Sequence, residues 1–298
     1  MTPLYSLLID HVCLEVRGRD AGSFLHGQLS QAVERLEPNR APLAGWHDAR
    51  GRVRALVRVW RLPDRWLLVT PRDGAEDLER KMRLFVLRAA VSLGVASDVS
   101  VAAVLQPDAA WLGARELPAD TAAGSITQRG ELNWLKVGAG YWQVLGPTAA
   151  HTTLAESLPA APVGAAALAE IALGMPAVTA NLAERFVAQT LNLAELGAVA
   201  FDKGCYPGQE IIARVQHLGG GVKRRARRYA AAGPPPPIGT PVTTVGNDAA
   251  VGEVVRSAAA GSGCELLAVV DNAAAGTALR CGVAPLSELP LPFTVPRA

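Results

Sequence analysis

Cysteine and histidine, from which most metal centres are built, are scarce in this sequence: 4 and 5 among 298 residues. Cys13, Cys205, Cys264 and Cys281 lie far apart with no C-x-x-C, and His11, His26, His47, His151 and His217 have no H-x-x-x-H spacing. A metal site held by this chain alone is therefore not expected. Nor is a disulfide framework, which belongs to small secreted chains. No G-x-S-x-G marks a serine nucleophile. An excess of one charge is missing too: 29 basic against 27 acidic residues leave a formal net charge of +2, too mild to argue for nucleic acid. No basic segment precedes the first apolar residues and acids come early, at Asp10 and Glu15. The expectation is a cytoplasmic protein without a leader. Residues 160–183 are alanine-rich, but Pro162, Glu170 and Pro176 interrupt them as a bilayer-spanning helix rarely allows. They read as buried helix and loop, and no membrane partner is expected.

What is present is a folded interior. Hydrophobic residues make up 50% and charged residues 19%, the balance of an ordered globular protein of two or three domains. Trp46, Trp60, Trp66, Trp111, Trp134 and Trp142 all fall in the first half, so the halves read as different modules. Residues 11–18 alternate as a strand and run into a helix over 20–31, with Phe24, Leu25 and Leu29 on one face. RVRALVRVWRL and RWLLVT read as a hairpin turning at Pro63 and Asp64. Asp73 is the expected cap of a helix carrying Leu78, Met82, Phe85 and Val86. Residues 99–106 read as a strand, ELNWLKV and YWQVLG as a second hairpin turning through Gly138 and Gly140, and 149–157 as a helix. Two hairpins and two helices imply an α+β layer, an antiparallel sheet with helices on one face. Prolines at 234–237 fit neither helix nor central strand and mark a boundary. Beyond them, 240–245, 250–256, 264–270 and 279–283 read as strands of a small barrel.

The densest chemistry lies in FDKGCYPGQEIIARVQHLGGGVKRRARR, residues 201–228. Gly204, Pro207 and Gly208 force a tight, irregular approach around Cys205. A helix follows, with Ile211, Ile212, Val215 and Leu218 as its buried stripe and Glu210 and Arg214 as an i,i+4 pair. Gly219, Gly220 and Gly221 stop it. Cys205 thus stands just before a helix N-terminus and two residues from Lys203, and both favour thiolate over thiol. That is the setting of a reactive cysteine. The other reading is a small buried cysteine filling space beside glycines, the commoner fate. Asp202 and Glu210 read as capping and pairing groups. His217 lies too far along the helix to serve Cys205 as a base. Lys223, Arg224, Arg225, Arg227 and Arg228 have one aromatic neighbour, Tyr229, and read as a solvated strand entering the barrel rather than a nucleic-acid surface.

K-G-C-Y-P-G-Q-E, residues 203–210, resembles the K-G-C-[FYW]-x-G-Q-E signature of the YgfZ family. The likeness runs along the chain. FLHGQLSQAV (24–33) is similar to the family's F-L-x-G-Q-x-T-x-D-V, and WHDARGRV (46–53) to its D-x-K-G-R strand entry. EIALGMP (170–176) is similar to I-x-x-G-x-P, FVAQTLNL (186–193) to F-x-P-Q-x-x-N-L with Ala188 for proline, and VKRR (222–225) follows the helix as in the family. The resemblance implies an α+β, aminomethyltransferase-like fold. A discontinuous first domain (1–48 plus 150–228) would carry the motif, with an inserted ferredoxin-like domain (49–149) and a C-terminal β-barrel (229–298). It also implies a tetrahydrofolate in a central hollow and a role in folate-dependent assembly or repair of iron–sulfur clusters. Enzymes that need such clusters, tRNA-modifying ones included, would depend on it. Iron–sulfur enzymes or assembly factors are then the expected partners, without direct nucleic-acid binding.

Carried onto this chain, the resemblance gives Cys205 and Lys203 the catalytic positions. Cys205 would meet a transient iron–sulfur cluster, a sulfur species or a client, and Lys203 would lower its pKa. Gly204 and Gly208 set the backbone, Tyr206 and Gln209 shape the pocket wall, and Glu210 and Arg214 complete the motif. His11 and Ala166 stand where relatives place aromatic residues around the folate. Arginines of the basic run are candidates to meet the folate's glutamate tail. The true aminomethyltransferase has an acidic pair in its first hairpin strand and an asparagine ending the returning strand. Arg54, Ala55 and Leu56, and Val69, Thr70 and Pro71, stand there instead, so glycine-cleavage chemistry is not expected. Two rivals stay open: a folate-dependent one-carbon or demethylating transferase, and a structural partner of iron–sulfur enzymes with a vestigial folate pocket.

Overall fold

A computed structural model gives the fold and describes residues 2–217 and 221–296. Leu218, Gly219 and Gly220, at the expected helix end, lie outside the described residues.

Alternation along the strands decides the architecture. In β2 (His11–Arg17), Leu14 and Val16 join one apolar cluster and Cys13 another. The same split recurs in β4 (Val53–Arg61), where Ala55, Val57 and Val59 oppose Trp60, and in β5 (Trp66–Pro71), where Leu68 opposes Leu67 and Val69. With β3 (Leu43–His47) and β6 (Ser92–Val95) they form an antiparallel sheet of order β3-β4-β5-β2-β6. Two apolar faces need two covers. On one face lie α1 (Ala21–Gln28) and α2 (Ala75–Arg83), through Leu25, Leu78 and Met82. On the other lies a second sheet, of order β1-β7-β10-β9-β8. Its strands are β1 (Leu4–Leu7), β7 (Val99–Leu105), β8 (Ile126–Arg129), β9 (Leu132–Gly138) and β10 (Tyr141–Pro147). Val101, Ala103, Tyr141 and Leu145 pack on Cys13, Trp60 and Val69 of the first sheet. Ala102, Val104 and Trp142 face away, toward Leu112 of α3 (Ala109–Gly113) and Leu154 of α4 (Thr148–Glu156).

The single layer expected over 49–149 is therefore two sheets. The expected boundary at 48/49 falls between β3 and β4, which share a hydrogen-bonded ladder, and β2 pairs with β5 across the same point. Cutting there would orphan those backbone groups, so the boundary does not hold. The expected cap Asp73 is also replaced. Gly74, at φ 94°, precedes α2 with no side-chain cap, and Glu76 and Asp77 supply negative charge to the first turn.

The C-terminal part is the expected barrel, closed in the order β11-β14-β13-β12-β15-β16. Its strands are β11 (Arg224–Ala232), β12 (Pro241–Thr244), β13 (Ala250–Ala260), β14 (Gly263–Asp271), β15 (Leu279–Cys281) and β16 (Ala284–Leu289). β11 runs through the expected 228/229 boundary, and its basic run is not simply solvated, because Arg225 and Arg227 are buried. Each arginine of the strand meets a carboxylate of the protein: Arg224 with Asp271 at 2.6 Å, Arg225 with Glu195 and Arg227 with Glu288 at 3.0 Å, Arg228 with Glu265 at 2.7 Å.

Inside the alanine-rich stretch lies α5 (Ala165–Ala172), and α6 (Gln209–His217) follows the motif. Among the described residues no helix is long and apolar enough to cross a membrane. Ile171 of α5 packs with Val255, Ala258 and Leu267 of the barrel. Beside it, buried Glu170 pairs with Arg256 of β13 and accepts from the Tyr141 hydroxyl at 2.7 Å, while Arg256 also donates to the Met175 carbonyl at 3.0 Å. Arg256→Met leaves a buried carboxylate without its cation and should cost about 3 kcal/mol or more in urea unfolding. The double variant Glu170→Gln/Arg256→Met should recover much of that loss.

Candidate functional site

The turn that follows β3 is the platform for the motif. Asp48 Oδ1 accepts from the Arg50 and Arg52 backbone N–H groups at 2.9 Å each, and Oδ2 accepts from Arg52 Nε at 2.6 Å. Burial alone would raise the Asp48 carboxyl, but these donors hold it below its ordinary value. Gly51 closes the turn at φ 73°, and Gly208 presses on it at φ 80°. A Cβ at 208 would come within 2.7 Å of Gly51 Cα and nearer still to the Asp48 carbonyl oxygen. Glycine is required twice over, by space and by conformation. Ile212 of α6 is buried and Ile211 lies beside Gly51, so the helix is fastened to the same turn.

Lys203 fastens the other end. Its Nζ donates to the carbonyls of His26 and Leu29, the latter at 2.6 Å, and lies 4.8 Å from the centre of the Tyr206 ring. These carbonyls end α1, where a cation is favoured. Burial pushes the Lys203 ammonium down to about 8, although Glu34 and Cys205 oppose the shift. Tyr206 is buried against His47, and Gln209 Oε1 accepts from the Tyr206 backbone N–H at 3.3 Å. Both pin the loop, where a pocket wall was expected. Gly204 lies beside His26 Nε2, and Asp202 pairs with Arg35 at 3.0 Å. Glu210 and Arg214 are exposed, and no ion pair joins them among the described residues. An exposed pair of this kind gains little over solvent, and the expected pair is not formed. Cys205 is exposed while Cys13, Cys264 and Cys281 are buried. An exposed side chain fills no core space, and the space-filling reading of Cys205 does not hold.

Elsewhere, a hollow of about 570 Å³ is lined by Arg40, Leu43, Arg58, Val137, Glu195 and Phe293, among others. Its volume suits a small-molecule site. Arg40 donates to Ser125 Oγ at 2.7 Å. Glu195 spends Oε1 on Arg225, leaving Oε2 buried without a partner. Arg58 donates from Nη1 to the Ala41 carbonyl at 2.8 Å, leaving Nε buried without a partner. Leu43, Arg58 and Met175 also line a chamber of about 40 Å³, with Leu56, Gln143, Glu170 and Arg256. His11 stands on this chamber's wall. Ala166 does not: it is buried among Leu8, Cys13 and Leu135, on the face of α5 that packs against the two sheets. None of residues 203–210 lines the hollow or the chamber.

No protein-family model matches the chain. Curated relatives do. The tRNA-modifying protein YgfZ of Edwardsiella ictaluri is 30% identical over 232 residues, which cover 71% of this chain and 66% of the relative. The protein of that name from Colwellia psychrerythraea is 27% identical over 211 residues, 69% of this chain and 65% of the relative. That from Vibrio vulnificus is 26% identical over 228 residues, covering 72% and 66%. The chain belongs to the YgfZ family. The match spans 65–66% of the length of these YgfZ relatives, about two thirds. The fold of this YgfZ chain is that of the glycine cleavage system aminomethyltransferase T from Bartonella henselae, with a TM-score of 0.76 over 99% of this chain and 87% of that one. Identity there is 17%, a likeness of fold. The aminomethyltransferase-like α+β fold expected from the YgfZ resemblance is thus the fold observed.

Three groups escaped the sequence reading. Glu195 gave no signal beyond an acid near the N-L stretch. Arg58 gave one, because it shares strand parity with Leu56 and Trp60, which turn inward. The third is His47, enclosed beneath the YgfZ motif with neither ring nitrogen hydrogen-bonded.

Two measurements follow. Gly208→Ala should destabilise by about 2 kcal/mol or more in urea unfolding, since neither space nor φ admits a Cβ. Burial pushes His47 down to about 4 from 6.5. The unfolded chain therefore protonates His47 first as pH falls, and stability drops between 6.5 and about 4, by up to about 3 kcal/mol. Melting curves of His47→Leu across that window should show a correspondingly shallower fall.

Proposed function

We propose that this YgfZ-family chain is a folate-binding accessory protein supporting iron–sulfur enzymes, tRNA-modifying ones among them. Tetrahydrofolate occupies the large hollow, and Cys205 is the thiol offered to a cluster, a sulfur species or a client. The relatives' name, tRNA-modifying protein, supplies the setting.

The observation that carries the ligand is the orphaned Glu195 Oε2 on the wall of the hollow. A buried carboxylate oxygen without a donor is costly, and a ligand N–H relieves it. A pterin ring has adjacent N–H donors at N3 and the 2-amino group, with a carbonyl oxygen beside them. Glu195 complements the donors, and Arg40 suits the carboxylate tail. Bound there, the folate supplies a reduced one-carbon carrier. The fit does not extend to transferase chemistry, because Leu56, Val69 and Pro71 give the adjoining chamber an apolar side.

Calorimetric titration should detect tetrahydrofolate in the micromolar range or weaker, micromolar being about −8 kcal/mol. Glu195→Gln should weaken it about tenfold or more by removing a charge-assisted acceptor. Cys205→Ser should bind folate as the wild type does, yet fail to restore iron–sulfur enzyme activity in cells lacking the native protein. No heat at millimolar folate would sink the ligand, and full rescue by Cys205→Ser would sink the role of the thiol.

A further inference from the structure

We infer that the small chamber beside the hollow is a carboxylate-binding site, with Arg58 as its cation. The charge balance points there first. Arg58 is 6% exposed, and among the described residues no carboxylate lies within ion-pairing distance of it. Glu170, the acid that lines the chamber, is taken by Arg256. Two guanidiniums thus share one buried carboxylate. His11 does not change the balance, since its Nδ1 lies 2.9 Å from Asp10 Oδ1 and that pair looks after itself. A buried, unpaired cation is costly, and an anion relieves it.

The hydrogen bonds agree with the charges. A guanidinium has five donors. Of these, one Nη1 donor is spent on the Ala41 carbonyl at 2.8 Å, and Nε is enclosed without a partner. Planar, forked donors match the two oxygens of a carboxylate. Gln143 sets the other limit. It turns Nε2 toward the Tyr141 hydroxyl at 3.0 Å and Glu170 at 3.4 Å, leaving Oε1 as an acceptor. An amide oxygen repels an anion, so the carboxylate is confined to the Arg58 side.

Size then selects among anions. The chamber holds about 40 Å³, and one water-sized sphere fills about 10–15 Å³. That is a small space, and a carboxylate is a small anion whose two oxygens meet a planar fork. Leu43, Leu56, Val69 and Met175 complete the wall, and their low polarity strengthens the ion pair. The carboxylate is either free formate or the end of a longer ligand reaching in from the hollow. The inference does not rest on folate, because Glu195 does not line the chamber.

The test compares melting temperatures of the full chain and Arg58→Met in sodium formate, chloride and sulfate at matched ionic strength. Both proteins feel the same bulk salt effect, so their difference reports the site. Formate should give a saturable rise in the wild type that Arg58→Met lacks. Sulfate and chloride should give no such difference. Arg58→Lys, which keeps charge but not the fork, should need about tenfold more formate. Glu195→Gln should respond as the wild type, so a failed folate reading and a failed chamber are told apart. Glycolate acting where formate does not assigns the chamber to the end of a longer ligand. Should Arg58→Met not fold, saturation-transfer NMR on the formate and glycolate protons of the wild-type complex decides instead. The inference is overturned if neither carboxylate shows site-dependent stabilisation or saturation transfer, if Arg58→Met responds like the wild type, or if sulfate matches formate.

Discussion

The barrel, the second sheet and α5 meet at the carboxylate of Glu170. α5 brings it there, Arg256 reaches it from the barrel, and Tyr141 and Gln143 reach it from the second sheet. A buried carboxylate tolerates little displacement of its partners, because each lost donor exposes the full desolvation cost of the charge. The barrel is thereby held to the sheets by more than apolar contact, which alone would permit sliding. The hollow and its small chamber lie around this junction and inherit its rigidity. Preorganised walls of this kind let unpaired polar atoms persist, since the surroundings do not relax to satisfy them.

Much of this fold was legible as elements and little of it as layers. The first hairpin appears where 52–62 and 65–70 placed it, as β4 and β5, and most of the barrel strands were readable from their alternation. What failed was the grouping. Period-2 alternation says that a strand has two faces, but it does not say that the polar-looking face is wet. Arg54, Leu56, Arg58 and Trp60 occupy one face of β4, which reads as basic and half-exposed, yet Arg58 and Trp60 are buried between sheets. Likewise, nothing in the local pattern of 43–47 announces that β3 ladders onto β4 across a seemingly good boundary. Long-range pairing is set by the total apolar area to be covered, a property of the whole chain.

The motif was more legible than the hollow for a related reason. Gly208 and Gly51 are demanded by a backbone crossing, and the KGCYPGQE run records such a demand locally. Lys203 shows the limit of that reasoning. Proximity in sequence to Cys205 suggested a thiol-tuning charge, whereas two of its donors are spent on carbonyls that end α1. The lysine builds the platform on which the thiol is displayed. Glycines, lysine and buried tyrosine together hold one exposed sulfur in a fixed place, which is what a docking or transfer step needs from a loop.

Glu195 and Arg58 line the same hollow with opposite charges, yet they do not pair with each other. Arg225 holds Glu195 through one oxygen, and the Ala41 carbonyl holds Arg58 through one nitrogen. Had the two been free to swing together, the hollow would have closed on a salt bridge and offered a ligand nothing. Each is instead restrained by a partner that satisfies it in part. The remainder, an acceptor at Glu195 Oε2 and the Nε donor of Arg58, stays buried without a partner. Partial satisfaction by fixed neighbours is costly in stability and has no structural return of its own. Its persistence at two buried positions on one cavity wall is the strongest physical argument that this cavity is built for binding.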